Sequence, residues 1–517
     1  MKAVPARKGP GPLRRLLDRR DTEGDSPDTE ELPLDLADIQ GFVLRGYRMP
    51  MVRHFLLSVG VPARARRQLA RLVSGDESDV PQITTADDWH VGFELGPGDD
   101  PDAAPRHTPD YCLNIGITWP GLVALEIDEL VPELSFRSFG AFIEGAAPRA
   151  ESVGDTGASA PQNWADGFGT GDDHVLVTLH AMSPQALTGY SDRLCAWFAE
   201  GDAFREIWRQ DGMALMEMQA GQLMPTAKVH FGYTDAITTP TIRGGPERYP
   251  PDHQQPCEPW LFVLREDAKN YDVPEPHELG LNGSFAVFKK VETDVVGFEG
   301  FLQSNRDRID PELLAAKLCG RWRNGAPLAL SPDTDSPPDG ISPERLNDFE
   351  YMNADGSGDP KGIHCPVGAH IRRVNPRGQP VAGQGVPGGS NNSHRLIRRG
   401  LPYGPSYDPS EPHDGVERGI LFQFINSNIA NQYEFVQRQW VNDAEFAGAV
   451  RLDPRSKDPL AGAQDPADSI FVIPQASGRP PIEVTGLSSF TTTKAAAYLF
   501  LPSITAIEFM ADLGEGM

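Results

Sequence analysis

One histidine stands in a setting suited to ligation. In Cys365-Pro-Val-Gly-Ala-His370-Ile-Arg-Arg-Val-Asn-Pro-Arg377 it lies between Gly368, Ala369 and Ile371, with Arg372, Arg373 and Arg377 just behind. A neutral imidazole binds a metal through one ring nitrogen while the other keeps a proton for a hydrogen bond. Beside an apolar wall and several guanidinium groups, that chemistry suits haem. The imidazole takes the iron, the wall covers the macrocycle, and the arginines pair with its two propionates. The same residues also fit a core histidine followed by a solvated basic strand, and Cys365-Pro366 adds thiolate ligation as another option. Two more segments carry chemistry. Val229-His-Phe-Gly-Tyr-Thr-Asp235-Ala-Ile-Thr-Thr-Pro240 lodges one acid among aromatic, small and β-branched residues. Such an aspartate moves protons in a pocket, or it caps a turn. His394-Arg-Leu-Ile-Arg398-Arg-Gly-Leu-Pro-Tyr-Gly-Pro405 is a basic strand ending in a Pro-Gly turn, and it is also a source of fixed positive charge. The twelve histidines show no HExxH and no His/Cys cluster at zinc spacing, which argues against a non-haem metal site.

The elements that must position these groups read as strand–helix units. Phe42 to Val59 has strand character around a turn at Met49-Pro50. His174–His180 alternates as a strand, Ser183 offers an N-cap, and Leu187, Tyr190, Leu194 and Trp197 follow at helical spacing. Ser284–Lys289 precedes Thr293, an expected N-cap for a helix carrying Val296, Phe298 and Phe301. Gly419–Ile425 precedes a helix carrying Ile429, Tyr433, Val436 and Trp440, and Ala497–Leu501 is a last strand. No Gly-rich phosphate loop follows any strand. The expectation is therefore α+β, built from ferredoxin-like βαββαβ units with antiparallel sheets and peripheral helices. Long polar loops are expected at 97–110, 144–174, 331–364, 376–394, 403–418 and 453–480, and no internal repeat at a fixed period is visible.

The chain has 517 residues, 39% hydrophobic and 23% charged, long enough for a large core and two to four domains. Lys+Arg 47 against Asp+Glu 73 gives a net charge of −26, which disfavours nucleic acid as a partner. No run approaches the ~18 apolar residues of a membrane span, so no membrane partner is expected. Five scattered cysteines without a CxxC pair read as reduced thiols of a cytoplasmic protein. The first twenty residues hold seven bases and one acid. Arg14-Arg15 invites a secretion reading, but no apolar stretch follows, so a mobile arm is expected instead.

Taken together, the segments resemble the dye-decolorising peroxidases. The distal-acid motif Gly-x-x-Asp-Gly of that family appears here as Gly232-Tyr-Thr-Asp235-Ala236. Its proximal-histidine segment is similar to His370-Ile-Arg-Arg-Val-Asn-Pro-Arg377, and its distal-arginine strand to Arg398-Arg-Gly-Leu-Pro-Tyr-Gly404. Asp38-Ile-Gln-Gly-Phe-Val-Leu-Arg-Gly46, Asn282-Gly-Ser-Phe285, Gly320-Arg-Trp-Arg323 and Gln432-Tyr-Glu-Phe435 match in order, so the likeness spans about residues 36 to 505. The long loops suggest a longer-loop, bacterial-type member.

What the resemblance implies is a peroxidase with haem b (iron protoporphyrin IX) and two ferredoxin-like domains. With the boundaries this suggests, residues 1–35 are the arm, 36–225 the first domain and 226–517 the haem-binding domain. His370 is the implied iron ligand, backed by an acceptor at Nδ1–H that raises its basicity. Asp235 is the implied proton mover and Arg398 the charge stabiliser. Arg395 and Arg399 are near alternatives, although on a strand Arg399 faces away from Arg398. Arg372 and Arg377 are expected at the propionates, Leu421 and Phe424 at the distal pocket, and Cys365 in the core. The implied substrates are hydrogen peroxide and a bulky phenolic or dye-like aromatic donor. Larger donors are expected to react at the surface through radical relays, with Trp440, Trp322 and Tyr403 as candidates. The departure is Ala236, where the motif has glycine. If that position is left-handed, alanine costs about 1 kcal/mol, and turning the segment to avoid the cost displaces Asp235. The rival reading is a non-enzymatic haem-binding or haem-transfer protein whose peroxidase activity Ala236 has blunted. A structural protein without cofactor is a third.

Overall fold

A computed structural model describes residues 33–75, 80–88, 109–127, 136–219, 221–246, 253–266, 273–274, 277–335, 341–342, 345–353, 356–381, 391–412, 414–447, 452–476 and 478–512. Of the expected arm at 1–35, residues 1–32 lie outside the described residues, as do parts of the expected loops. From Leu34 onward the chain forms one compact unit.

The first half supplies β1 (Met51–Val59), β2 (Tyr111–Ile117), β3 (Val175–Ala181) and β4 (Phe204–Met213). Helix α1 (Pro62–Arg71) follows β1 and α2 (Pro184–Ala199) follows β3. A hairpin, β5 (Met216–Gln219) and β6 (Gln222–Pro225), leads to the second half. There β7 (Ser284–Thr293) is followed by α3 (Val295–Ser304) and α4 (Pro311–Cys319). The helix α5 (His370–Val374), β8 (Ile397–Tyr403), β9 (Gly419–Asn426) and the small pair β10 (Ile470–Ile473) and β11 (Ile482–Thr485) come next. β12 (Thr491–Leu501) and α6 (Ile504–Asp512) close the chain.

One eight-stranded antiparallel sheet runs β4-β1-β3-β2-β12-β7-β9-β8. Each half therefore repeats the order fourth-first-third-second, the ferredoxin-like arrangement. A structural repeat exists although no sequence repeat does. The halves join where Phe500 of β12 pairs with Ile117 of β2. At the far ends β4 and β8 approach each other. A Cβ built on Gly212 would stand 3.1 Å from the Pro402 carbonyl oxygen across this seam and 2.9 Å from Val52 Cγ1 on the paired strand β1, so a side chain here is crowded from both sides. A single apolar cluster spans both halves, with Phe55, Leu113 and Val177 of the first packed with Phe285, Phe288 and Leu499 of the second. Full burial of such side chains contributes about 1.5–3 kcal/mol each. A second cluster, with Phe298, Leu314 and Phe471, lies under α3 and α4.

Local expectations mostly hold, with shifts. Ser183 caps α2 by accepting from Ala186 N at 3.1 Å. The cap of α3 is Asp294, not Thr293, because Thr293 is the last residue of β7 while the Asp294 carboxylate accepts from Gly297 N at 2.8 Å. Phe42 belongs to a helical turn, Gly41–Leu44, and the strand begins only at Met51. The expected helix after β9 is wound as two π-helical stretches, Ala430–Glu434 and Val436–Val441.

Candidate active site

His370 opens the short helix α5 and faces a cavity of about 760 Å³. Its Nδ1 lies 2.9 and 3.1 Å from the two oxygens of Asp458. A carboxylate only accepts, so Nδ1 carries the proton and Nε2 keeps its lone pair. Asp458 is wholly buried, and its Oδ1 also accepts from Leu460 N and Ala461 N, both at 2.9 Å. Burial pushes the Asp458 carboxyl up. The hydrogen bond from His370 Nδ1–H, with the Ala461 N–H and nearby Arg373, outweighs that and holds it below the usual carboxylate range. This is the acceptor expected behind the histidine, 88 residues away in sequence. Nothing local marks it.

The helix is fixed by arginines that point away from the cavity. The Arg373 guanidinium, fully buried, donates to the carbonyls of Trp440 (2.6 Å), Asp443 (2.9 Å) and Ser456 (2.9 Å). Arg372, also fully buried, donates to Cys365 O at 2.6 Å, Asp359 O at 2.7 Å and Gln379 Oε1 at 2.6 Å. It does not line the cavity, and the expectation that it meets a propionate does not fit this placement. Arg377 does line it, lying 3.8 Å over the Phe349 ring and donating to Asn347 O and Phe349 O. Beside it stands Arg321, which sequence reasoning used only as a flanking match. Burial, then the Arg377 charge, pushes the Arg321 pKa down to about 10. Its hydrogen bonds go to the carbonyls of Gly325 and Leu346 and to Thr238 and Asn347, not to a carboxylate.

Across the cavity, Arg398 Nη2 donates to Asp235 Oδ1 at 2.8 Å. Arg399 turns to the other face, where its Nε donates to Phe42 O at 2.7 Å, and Arg395 also lines the cavity. Ala236 takes φ +60°, the left-handed region. The segment bears that strain instead of turning away, and Asp235 stays on the wall with its N–H held by Ala227 O at 2.8 Å. Phe424 lines the cavity, but Leu421 does not. Alternation along β9 puts Phe422 and Phe424 on one face and Leu421 on the other, in the shared core. Leu421 and Phe424 are three residues apart, so a strand's period of two cannot put both at the expected distal pocket. His230 lines the cavity too, with Nε2–H on Tyr403 O at 2.8 Å, and burial lowers its pKa.

Other expected groups lie elsewhere. Cys365 is buried off the cavity, and burial pushes its thiol up to about 11, so it stays protonated. All five cysteines are free. Trp440, Tyr403 and Trp322 are all buried, and none lines the cavity. The Tyr403 hydroxyl donates to Glu417 at 2.8 Å, and Trp322 Nε1 to Ser331 O at 2.9 Å.

The cavity is within the ~300–1,000 Å³ of cofactor and ligand sites. One wall offers an imidazole lone pair, the sheet face offers two aromatic rings, and Arg321 with Arg377 concentrates buried positive charge. This donor set fits haem. No family model matches the chain. Peroxidase 2 of Mycetinis scorodonius is 28% identical over 521 residues, covering 95% of this chain and 92% of its own. A dye-decolorizing peroxidase of Mycena epipterygia is 28% identical over 505 residues, covering 92% and 87%. A multifunctional dye peroxidase of an Amycolatopsis strain is 31% identical over 296 residues, 53% of this chain and 59% of its own. The solved structure of an ancestral D-type dye decolorizing peroxidase matches with a TM-score of 0.75 at 28% identity, covering 92% of this chain and 99% of that one. A dye-decolorizing peroxidase in complex with 2,6-dimethoxyphenol matches with a TM-score of 0.73 at 25% identity, covering 93% and 100%. Fold and relatives define a haem peroxidase. Over nearly its whole length the chain is similar to dye-decolorising peroxidases, and the two relatives above that span nearly all of it are fungal, not bacterial as the loops suggested.

Proposed function

We propose that the chain reduces hydrogen peroxide and oxidises bulky phenolic or dye-like donors, with haem b held at His370. Bound haem supplies the iron that accepts peroxide and the oxidising equivalents passed to the donor. Around it the chain's own residues divide the work. His370 presents Nε2, and Asp458 fixes its tautomer and strengthens it as a ligand. Asp235 Oδ2, which Arg398 does not engage, takes a proton from one peroxide oxygen and returns it to the oxygen that leaves as water. Arg398 keeps a fixed positive charge beside the charge that develops, since guanidinium stays protonated at any working pH. Arg377 and Arg321 are placed for propionates. Free cysteines and the charge of −26 support a cytoplasmic protein without nucleic-acid or membrane partners, and no helix among the described residues is long and apolar enough to cross a membrane.

The observation that carries this reading is His370 backed by Asp458 on one wall, with the Asp235–Arg398 pair on the same cavity. The non-enzymatic alternative rests on Ala236; Asp235 on the cavity wall, hydrogen-bonded to Arg398, supports the enzymatic reading instead. The test is a visible spectrum before and after peroxide. Wild type is expected to show a Soret band that converts with peroxide and returns when a phenol is added, and His370→Ala to lose the iron–imidazole spectrum. An unchanged spectrum and full haem content in His370→Ala would overturn the ligand assignment.

A further inference from the structure

The cavity continues beyond the residues assigned so far. Along its sheet wall lie Arg398 of β8, Phe424 and Phe422 of β9, Lys289 of β7 and Thr493 of β12. Arg398 pairs with Phe424, which pairs with Val287, two residues before Lys289. Two interstrand steps and one i,i+2 step put Lys289 about 12 Å from Arg398. At this far end Lys289 Nζ is 2.8 Å from each oxygen of Asp155, and Thr493 Oγ1 donates to Asp155 Oδ1 at 2.6 Å. Both charged side chains are more than nine-tenths buried. Asp155 comes from a loop of the first half, so three separate segments meet here.

A buried ion pair is a poor device for stability, because desolvation offsets most of its attraction. This one also lines the cavity of a haem peroxidase. An ammonium has three donors, and two carboxylate oxygens engage at most two of them. No other acceptor for Lys289 occurs among the described residues. The pair is neutral overall, unlike Arg321 with Arg377, so it suits a polar uncharged group better than a propionate. A hydroxyl fits both partners, accepting from the ammonium and donating to the carboxylate. Phe422 is the direct register partner of Lys289 and faces the same cavity, which places an aromatic platform beside the anchor, with Cβ atoms roughly 4.5–5.5 Å apart.

We propose that Lys289, Asp155, Thr493 and Phe422 form a donor subsite inside the cavity, taking the hydroxyl and ring of a small phenol; this rests on the peroxidase reading above. The test uses the haem-loaded protein with 2,6-dimethoxyphenol and, as a donor without a hydroxyl, ferrocyanide. Phenol binding is titrated calorimetrically without peroxide, and KM and kcat are then measured for both donors. Lys289→Met and Thr493→Val are each expected to weaken phenol binding and raise its KM by about tenfold or more, with a smaller change for ferrocyanide. Should Lys289→Met not fold, Thr493→Val and Phe422→Leu still decide. Unchanged phenol binding in the folded variants, or equal losses for both donors, overturns the subsite. A wild type that binds the phenol through Lys289 but oxidises neither donor overturns the peroxidase reading and leaves the binding site standing.

Discussion

Ala236 shows how much one methyl group can decide. At φ +60° an L-residue is strained by about 1 kcal/mol relative to glycine, and this methyl is solvent-exposed, so removing it loses little packing. Ala236→Gly is therefore expected to stabilise the fold by roughly that amount in urea melts, less a few tenths for the freer unfolded chain. Because Asp235 already faces the cavity, the same change should leave the rate of reaction with peroxide within about twofold, well short of the ~10²-fold that 1 Å of misplacement costs. A large acceleration would mean that the carboxylate is displaced after all. Arg398→Leu should slow that reaction by about 10²–10³ with haem still bound, since a fixed charge in a dry pocket is worth ~2.7–4 kcal/mol. Arg399→Leu should do far less, because Arg399 serves the Phe42 carbonyl on the opposite face. Stopped-flow absorbance measures both.

At the scale of elements, β9 separates two roles that the sequence blends. Leu421→Ala empties a core position and is expected to cost about 2–5 kcal/mol with an unchanged haem spectrum. Phe424→Ala should alter the haem spectrum directly, because that ring lines the cavity. Thermal melts and visible spectra of the two variants distinguish the faces. Much of this was legible beforehand. His370, Asp235 and Arg398 each sit in a short run of distinctive composition, and strict alternation separates Arg398 from Arg399. The same alternation, applied to β9, would have found Phe422. Asp458, Arg321 and Asp155 were not legible as site residues, because their meaning comes from contacts across the fold. An isolated aspartate in a polar loop looks the same whether or not a histidine waits 88 residues away.

For the whole molecule, the repeated strand order supports a proposed division near residue 225, yet one apolar cluster runs through both halves. Neither half is expected to fold alone, and coexpressed fragments split in the β5–β6 hairpin should reassemble if the division is sound. The first half also holds His54, packed against Phe288 of that core, and His180 beside Tyr47, whose pKa values are lowered to about 3, mainly by burial. Groups with depressed folded pKa values bind protons preferentially when unfolded. Stability is therefore unaffected above the unfolded value of about 6.5 and falls as pH drops from there toward 3. Each contributes up to about 1.36 kcal/mol per pH unit, so urea midpoints should fall steeply between pH 6.5 and 4, and His180→Gln should flatten the decline. The seam at Gly212 and Pro402 bears on a different property, the behaviour of the protein in crowded solution. An open sheet offers each end strand as a template on which another chain can add. Here the two end strands shield one another, and Pro402 has no N–H to offer a newcomer. Gly212→Val would wedge the seam apart, and light scattering should then report self-association under conditions where the parent chain stays dispersed.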